Sequence, residues 1–255
     1  MRVAANLNML FTEVELLERY EKAAAAGFKA VEVSLPYGET AENLKKAAQK
    51  HSLQHVLINA PPGEASTGAK GLAAICEERE IFRESLEKAV KYSKILECSR
   101  IHVMAGLGDS KCPHAHDIYR ENIRYACQRF EQDGLTCLIE PINSYTIPGY
   151  FLNSYDQALS IINEVSASNL KILFDVFHAQ QICGQLSALI QRLNQNIGHI
   201  QIAQVPSRLS PDTPGEIDYN YLFSLLKNTV DDRFIGCEYK DGAKFDWVQR
   251  YGLKF

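Results

Sequence analysis

No two of the seven cysteines stand as a C-x-x-C pair. Cys76, Cys98, Cys112, Cys127, Cys137, Cys183 and Cys237 are odd in number and scattered, so the spacings of a zinc cluster or a thioredoxin-like site are missing. Such usage fits a reducing compartment. Cys137 and Cys237 fall inside apolar runs, where a thiol behaves as a small hydrophobe. No apolar stretch approaches the roughly 18 residues needed to span a membrane. The start, Met1-Arg2-Val3-Ala4-Ala5-Asn6, lacks the apolar region of a secretory signal, and a cytoplasmic protein is expected. Charge of one sign is not in excess: 27 basic against 31 acidic residues leaves a net charge of −4. That balance offers no footing for a nucleic-acid backbone or an anionic membrane. The G-x-G-x-x-G of a dinucleotide fold is absent too, because the first apolar run leads into Asn6-Leu7-Asn8-Met9-Leu10.

What is present is a long alternation of strand-like and helix-like segments. The strand candidates are Val3–Leu7, Ala30–Leu35, Gln54–Asn59, Arg100–Met104, Thr136–Glu140, Lys171–Asp175, His199–Gln201 with its neighbours, and Phe234–Tyr239. They are short and rich in Val, Ile and Leu, as strands covered on both faces should be. Thr12 with Glu15, and Ser154 with Gln157, read as capping boxes, and Gly27 and Gly134 as helix stops. Tyr125–Gln132 has the mixed composition of a surface helix. With 255 residues, 46% of them hydrophobic, one closed (β/α)₈ TIM barrel over residues 1–255 is the expected fold. The long polar segments Pro61–Gly71, Gly106–Asp117 and Pro206–Asp218 each follow a strand, which in a barrel puts them on the catalytic face. Pro61-Pro62-Gly63 and Pro211–Gly215 have the composition of lid hinges.

Four polar residues end four successive strands: Glu140, Asp175, Gln201 and Glu238, separated by 35, 26 and 37 residues, about one β-α unit each. Positions two apart share a strand face, so Glu140 goes with Leu138, Asp175 with Leu173, Gln201 with His199 and Glu238 with Gly236. The alternate positions carry Ile139, Phe174, Ile200 and Ile202, suited to packing under helices. All four polar ends are thus consistent with one mouth. Three carboxylates crowded there repel unless a cation lies between them. A divalent ion with oxygen ligands, Mg²⁺ or Mn²⁺, is the simple solution. The competing reading pairs the acids with lysine or arginine. His178 lies three residues past Asp175 and His102 in the fourth strand, one strand before Glu140, so both are candidates to touch substrate or to be satisfied core histidines. His199 is expected one layer deeper, and His51, His114 and His116 are expected at the surface. Glu32, inside Val31-Glu32-Val33, must pair with a base or face the site, because an isolated buried charge is costly. Arg208 and Lys240 follow the last two strands. Arg208 is the better grip for an anionic group, since a guanidinium binds a carboxylate in two places.

At these residues the chain resembles the hydroxypyruvate isomerase family of xylose-isomerase-like barrels over nearly its whole length. The similarity runs through Ala5-Asn6-Leu7, Val31-Glu32, Pro36-Tyr37, Leu57-Ile58-Asn59 with Pro61-Pro62-Gly63, and Arg100-Ile101-His102 with Met104-Ala105-Gly106. It continues through Glu140-Pro141-Ile142-Asn143, Phe174-Asp175-Val176-Phe177-His178, His199 to Pro206, Pro214-Gly215-Glu216 and Gly236-Cys237-Glu238-Tyr239. The resemblance implies interconversion of hydroxypyruvate and 2-hydroxy-3-oxopropanoate. It implies Glu140 and Glu238 as the proton donor-acceptor pair, and Glu140, Asp175, Gln201 and Glu238 as metal positions. Related sugar epimerases commonly carry histidine where Gln201 stands, and a neutral amide is a weaker ligand than imidazole. The expected partner is a small anionic sugar acid, with no nucleic acid and no membrane; a homodimer is compatible with the fold. Rival readings are an isomerase or epimerase of a longer sugar acid, a metal-dependent repair endonuclease and a non-catalytic binding barrel. The segment from Trp247 to Phe255 is short for a complete final helix.

Overall fold

In a computed structural model, which describes residues 1–64, 68–229, 234–240 and 244–255, the apolar runs form eight parallel strands. They are β1 (Arg2–Asn6), β2 (Ala30–Val33), β3 (Gln54–Asn59), β4 (Arg100–His102), β5 (Thr136–Ile139), β6 (Leu170–Asp175), β7 (Ile197–Ile202) and β8 (Phe234–Cys237). Each pairs with the next in sequence and β8 pairs back on β1, which closes the barrel. The expected (β/α)₈ architecture is the observed one, and the chain is a TIM barrel. Helices α1 (Leu16–Ala25), α2 (Ala41–Lys50), α3 (Arg79–Leu96), α4 (Pro113–Glu131), α5 (Tyr155–Val165), α6 (Val176–Ile182), α7 (Leu186–Leu193), α8 (Tyr219–Thr229) and α9 (Asp246–Arg250) follow the strands. No helix of the described residues is long and apolar enough to cross a membrane.

Strand parity sorts the side chains. Outward residues such as Val3, Val31, Ile101, Ile139, Phe174, Ile200 and Ile235 join one continuous core under the helices. Inward residues stack in layers, as a filled barrel requires. Ala4, Ala30, Val56 and Phe234 form the floor. Leu57, Leu138 and Leu173 form a plug above it. Above the plug the inward positions turn polar, and the site begins there.

Three local expectations need correction. Thr12 does not cap α1: the helix starts at Leu16 after Glu15, which makes no side-chain cap bond. The Arg19 guanidinium donates to the carbonyls of Leu7 (2.7 Å) and Val14 (2.8 Å) and holds the preceding turn in another shape. The segment Gly106–Asp117 is not wholly loop, because Pro113 opens α4 in the position where its missing N–H costs nothing. Of the three histidines expected at the surface, only His114 is fully exposed; His51 and His116 are half-buried, and His116 lies 3.0 Å from Glu164. The second capping box forms as read: Ser154 Oγ accepts from the Gln157 N–H (3.2 Å), and the Gln157 side chain reaches back to the Asn153 N–H (3.3 Å). Within Pro61–Gly71, residues 65–67 lie outside the described residues. The Pro206–Asp218 segment is tied down by buried Gln204, whose amide bonds Thr213 O, Ile217 O and Ile217 N at 3.2, 3.0 and 3.0 Å.

The short carboxyl end does not leave the barrel open. α9 has five residues, yet Trp247 is fully buried, stacks on Phe223 at 6.1 Å and donates to the Tyr239 hydroxyl at 3.3 Å. Lys254 then bridges beside Arg2, with the Val3 N–H bonded to the Lys254 carbonyl at 2.8 Å.

Candidate active site

The polar layers occupy the carboxyl ends of β5 to β8, and the inward parity of each strand brings the residues together. Glu140 follows β5 and is buried. Its Oε2 lies 3.6 Å from His102 Nδ1 at the end of β4, and its Oε1 lies 3.9 Å from His178 Nε2. Neither Glu140 Oε1 nor His102 Nε2 has a hydrogen-bond partner among the described residues. Asp175 ends β6 and caps α6, accepting from the Phe177 N–H at 2.8 Å through Oδ1. Its Oδ2 faces His178 Nε2 at 3.4 Å and Arg208 Nη2 at 3.3 Å. Glu238, just past β8, is 18% exposed in its side chain and accepts from Arg208 Nη2 at 2.8 Å.

Arg208 sits in the loop after β7 with a left-handed φ of 54°, which turns its side chain back over the mouth. The guanidinium lies 4.7 Å above the Phe177 ring and bridges Asp175 and Glu238. The reading in which an arginine neutralises the acids therefore describes part of the site, and the same group remains placed to meet an anion. Lys240 is exposed at the rim. Gln201, on β7, is buried and donates through Nε2 to Glu32 Oε2 at 2.8 Å.

The electrostatics follow from this crowding. Burial, then the charges of Glu238 and Asp175, push the Glu140 carboxyl well above the usual carboxylate range. Burial lifts Glu238 to about 8, against the pull of Arg208. Burial holds His178 down at about 4 and His102 down at about 3, so both imidazoles are neutral near pH 7. The His178 proton can be placed. The Asn143 side-chain N–H₂ lies 2.6 Å from Nδ1 and its backbone N–H 3.4 Å away, so Nδ1 accepts and Nε2–H faces Asp175.

The donor set can be tested against a divalent ion. One ligand atom each from Glu140, Asp175 and His178 lie within 4.8 Å of one another. The unbonded, buried Glu140 Oε1 belongs to that group. With its proton on Nε2, His178 offers that group no lone pair, so the fit to Mg²⁺ or Mn²⁺ rests on the oxygen donors Glu140 and Asp175. Of the four positions read in the sequence, Glu140 and Asp175 belong to this group, Glu238 accepts from Arg208, and Gln201 gives its NH₂ to Glu32, which leaves its carbonyl oxygen as the ligand atom it could offer.

Sequence reasoning overlooked three contributors. Asn143 fixes the His178 tautomer, Phe177 supports Arg208, and Asn6 donates to Glu32 Oε2 at 3.0 Å while standing 3.5 Å from Glu238 Oε1. Asn6 and Glu32 pair in register across β1 and β2, so strand order with inward parity held the signal for Asn6.

Comparison with known proteins agrees with the fold. The model of the xylose isomerase-like TIM barrel family matches residues 20–252. A Caenorhabditis elegans protein provisionally named hydroxypyruvate isomerase is 51% identical, over 100% of this chain and 98% of its own length. The Escherichia coli hydroxypyruvate isomerase is 39% identical, over 98% of this chain and 99% of its own. The 2-oxo-tetronate isomerase of Cupriavidus necator is 41% identical, over 98% of each chain. A crystal structure from Brucella melitensis, described as an AP endonuclease of family 2, superposes with a TM-score of 0.93 at 37% identity, over 98% of each chain. The chain belongs to the xylose isomerase-like TIM barrel family.

Proposed function

We propose that this protein is an isomerase that interconverts hydroxypyruvate and 2-hydroxy-3-oxopropanoate by proton transfer through an enediolate. The observation that carries the reading is the pair Glu140, buried, and Glu238, partly buried, at one mouth, both with raised proton affinity but only one bonded to a guanidinium. As pH climbs through about 8, such a pair holds a proton on Glu140 and a vacancy on Glu238, which is what acid-base chemistry at two adjacent carbons needs.

Arg208 orients the substrate through its carboxylate. Glu238, ionised as pH climbs toward 8 with Arg208 favouring its charge, takes a proton from C3, and the electron pair moves to form the enediolate. Glu140 gives its proton to C2, and the hydroxyl proton passes from O3 to O2, so no atom is gained or lost. His102 and His178, both neutral, stand beside Glu140 as hydrogen-bonding groups for the two oxygens. A divalent ion held by Glu140 and Asp175, with the Gln201 carbonyl oxygen and Glu238 adjacent, would supply Lewis-acid stabilisation of the enediolate oxygens when bound. Phe177 beneath Arg208 supports the guanidinium on one side of the mouth.

Glu140→Gln and Glu238→Gln test the pair. Each should fold like the parent and lose at least about a hundredfold in kcat on hydroxypyruvate, the usual contribution of a positioned acid or base. Retention of kcat within about threefold in either variant would remove that residue from the proton path.

A longer substrate is favoured by one specific finding: the 2-oxo-tetronate isomerase is as similar to this chain as the hydroxypyruvate isomerase is, at 41% against 39% identity. The same two-carbon chemistry serves both acids. The ratio of kcat/KM on the two substrates decides which is the better one. For the nuclease class, the net charge of −4 supplies no electrostatic footprint.

A further inference from the structure

Glu32 is fully buried, lies below the mouth and takes no part in the proton path above. It is nevertheless the hub of the inner polar layer. Its Oε1 accepts a short hydrogen bond from His199 Nε2, and its Oε2 accepts from Gln201 Nε2 at 2.8 Å and Asn6 Nδ2 at 3.0 Å. The sequence left open whether Glu32 pairs with a base or faces the site, and it does both. Four strands meet on this one carboxylate: β1 through Asn6, β2 through Glu32 itself, β7 through His199 and Gln201, and β8 through Gly236. A Cβ on Gly236 would lie 2.0 Å from Glu32 Oε1, so the absence of a side chain there is what makes room for the carboxylate.

The chemistry of the contact fixes the direction of the amides. A carboxylate only accepts hydrogen bonds, so the end of Gln201 that meets Glu32 must be its NH₂. The carbonyl oxygen of Gln201 is then the atom turned away from the barrel interior. Asn6 is constrained likewise: its NH₂ meets Glu32, and its Oδ1 is taken by the Asn8 N–H at 3.0 Å. That leaves the second Asn6 N–H between Ser34 Oγ at 3.4 Å and Glu238 Oε1 at 3.5 Å.

We propose that Glu32 is the positioning residue of this mouth: it holds the NH₂ groups of Gln201 and Asn6 from below. Gln201 thereby meets whatever binds above it with a carbonyl oxygen, and Asn6 keeps an N–H shared between Ser34 and Glu238. The mouth is thus an acceptor at Gln201, suited to a substrate hydroxyl or a cation and unsuited to a substrate carboxylate, which is left to Arg208. The catalytic consequence rests on the isomerase reading; the orientation of the amides does not.

Side-chain amide exchange in the full chain, labelled with ¹⁵N at glutamine and asparagine, tests the orientation without any ligand. The Gln201 pair is assigned by its loss in Gln201→Met. Its NH₂ protons should exchange with water at least about tenfold slower than those of exposed Gln49. Exchange as fast as that of Gln49 in the unmutated protein would overturn the proposal, because the NH₂ would then face the mouth. Glu32→Asp keeps the charge and withdraws both oxygens by one methylene. It should speed exchange at Gln201 at least about tenfold and lower kcat on hydroxypyruvate by a similar factor, as loss of orienting support does. Unchanged exchange and unchanged kcat in folded Glu32→Asp would also overturn it. If that variant does not fold, the exchange measurement on the unmutated chain still decides. Absence of turnover on either sugar acid in the unmutated protein, with Gln201 protected, would count against the isomerase reading and leave the positioning intact.

Discussion

Glu140 and Glu238 are the same residue type at equivalent strand ends, and their surroundings give them different tasks. Glu140 is sealed among His102, His178 and two other acids, while Glu238 keeps a guanidinium 2.8 Å away. This has a pH consequence with a definite sign. Glu238 is raised to about 8, so in metal-free protein the base becomes available only as pH climbs through that region, and kcat/KM should rise toward pH 8 instead of near the ordinary carboxylate value of about 4.3. A divalent ion favours the ionised carboxylates, so Mg²⁺ or Mn²⁺ should move that limb to lower pH and EDTA should move it back. A limb that stays near pH 4 to 5 in stripped protein would contradict the burial argument. At this scale the sequence was readable wherever parity governed, as for Asp175 and Gln201. It was silent where a loop's shape governed. Nothing in the spacing of Arg208 announces the left-handed backbone that folds its guanidinium onto Asp175 and Glu238.

The strands were legible because each is an apolar run bounded by polar residues, and the disagreements cluster at their carboxyl ends. There Leu7, Met104 and Tyr239 still read as strand, yet the chain leaves the ladder one or two residues sooner to build the mouth. The irregularities between β2 and β3 and between β6 and β7, where register shifts at Val31 and Glu32 and at Ile172 and Leu173, were not legible, because a bulge depends on the neighbouring strand. The Glu32–His199 contact joins residues 167 apart in the chain, a pairing that only barrel closure creates. Gly236 shows how such a contact constrains an element. Gly236→Ala should lower stability by about 3 kcal/mol in urea unfolding, at the upper end for overpacking, because the added carbon meets a buried carboxylate. Gly38→Ala, where a Cβ meets nothing within 4 Å, should change stability by less than about 0.5 kcal/mol. Equal effects of the two substitutions would contradict the packing described for β8.

Closure of the whole barrel depends on a carboxyl end that looks inadequate in the sequence. Five helical residues cannot bury a strand face alone, and the deficit is met by Trp247 against Phe223, Tyr239 and Tyr251 and by the Lys254 bridge beside Arg2. Trp247→Ala should cost about 3 to 5 kcal/mol of stability, seen as a lower urea midpoint, since it empties the contact that joins α8 and α9 to β8. A loss below about 1 kcal/mol would mean that β1–β8 pairing closes the barrel unaided. The closed ring in turn is what lets four strand ends, spread over a hundred residues, act on one small molecule.

The most direct test of that account is isomerisation of hydroxypyruvate in D₂O, with the product's C2 position read by NMR. Proton transfer through the Glu140–Glu238 pair predicts deuterium at C2 in nearly every turnover, because the proton taken from C3 is not the one returned. Product that carries only the original hydrogen at C2 after many turnovers would contradict the enediolate mechanism and the roles given to both glutamates.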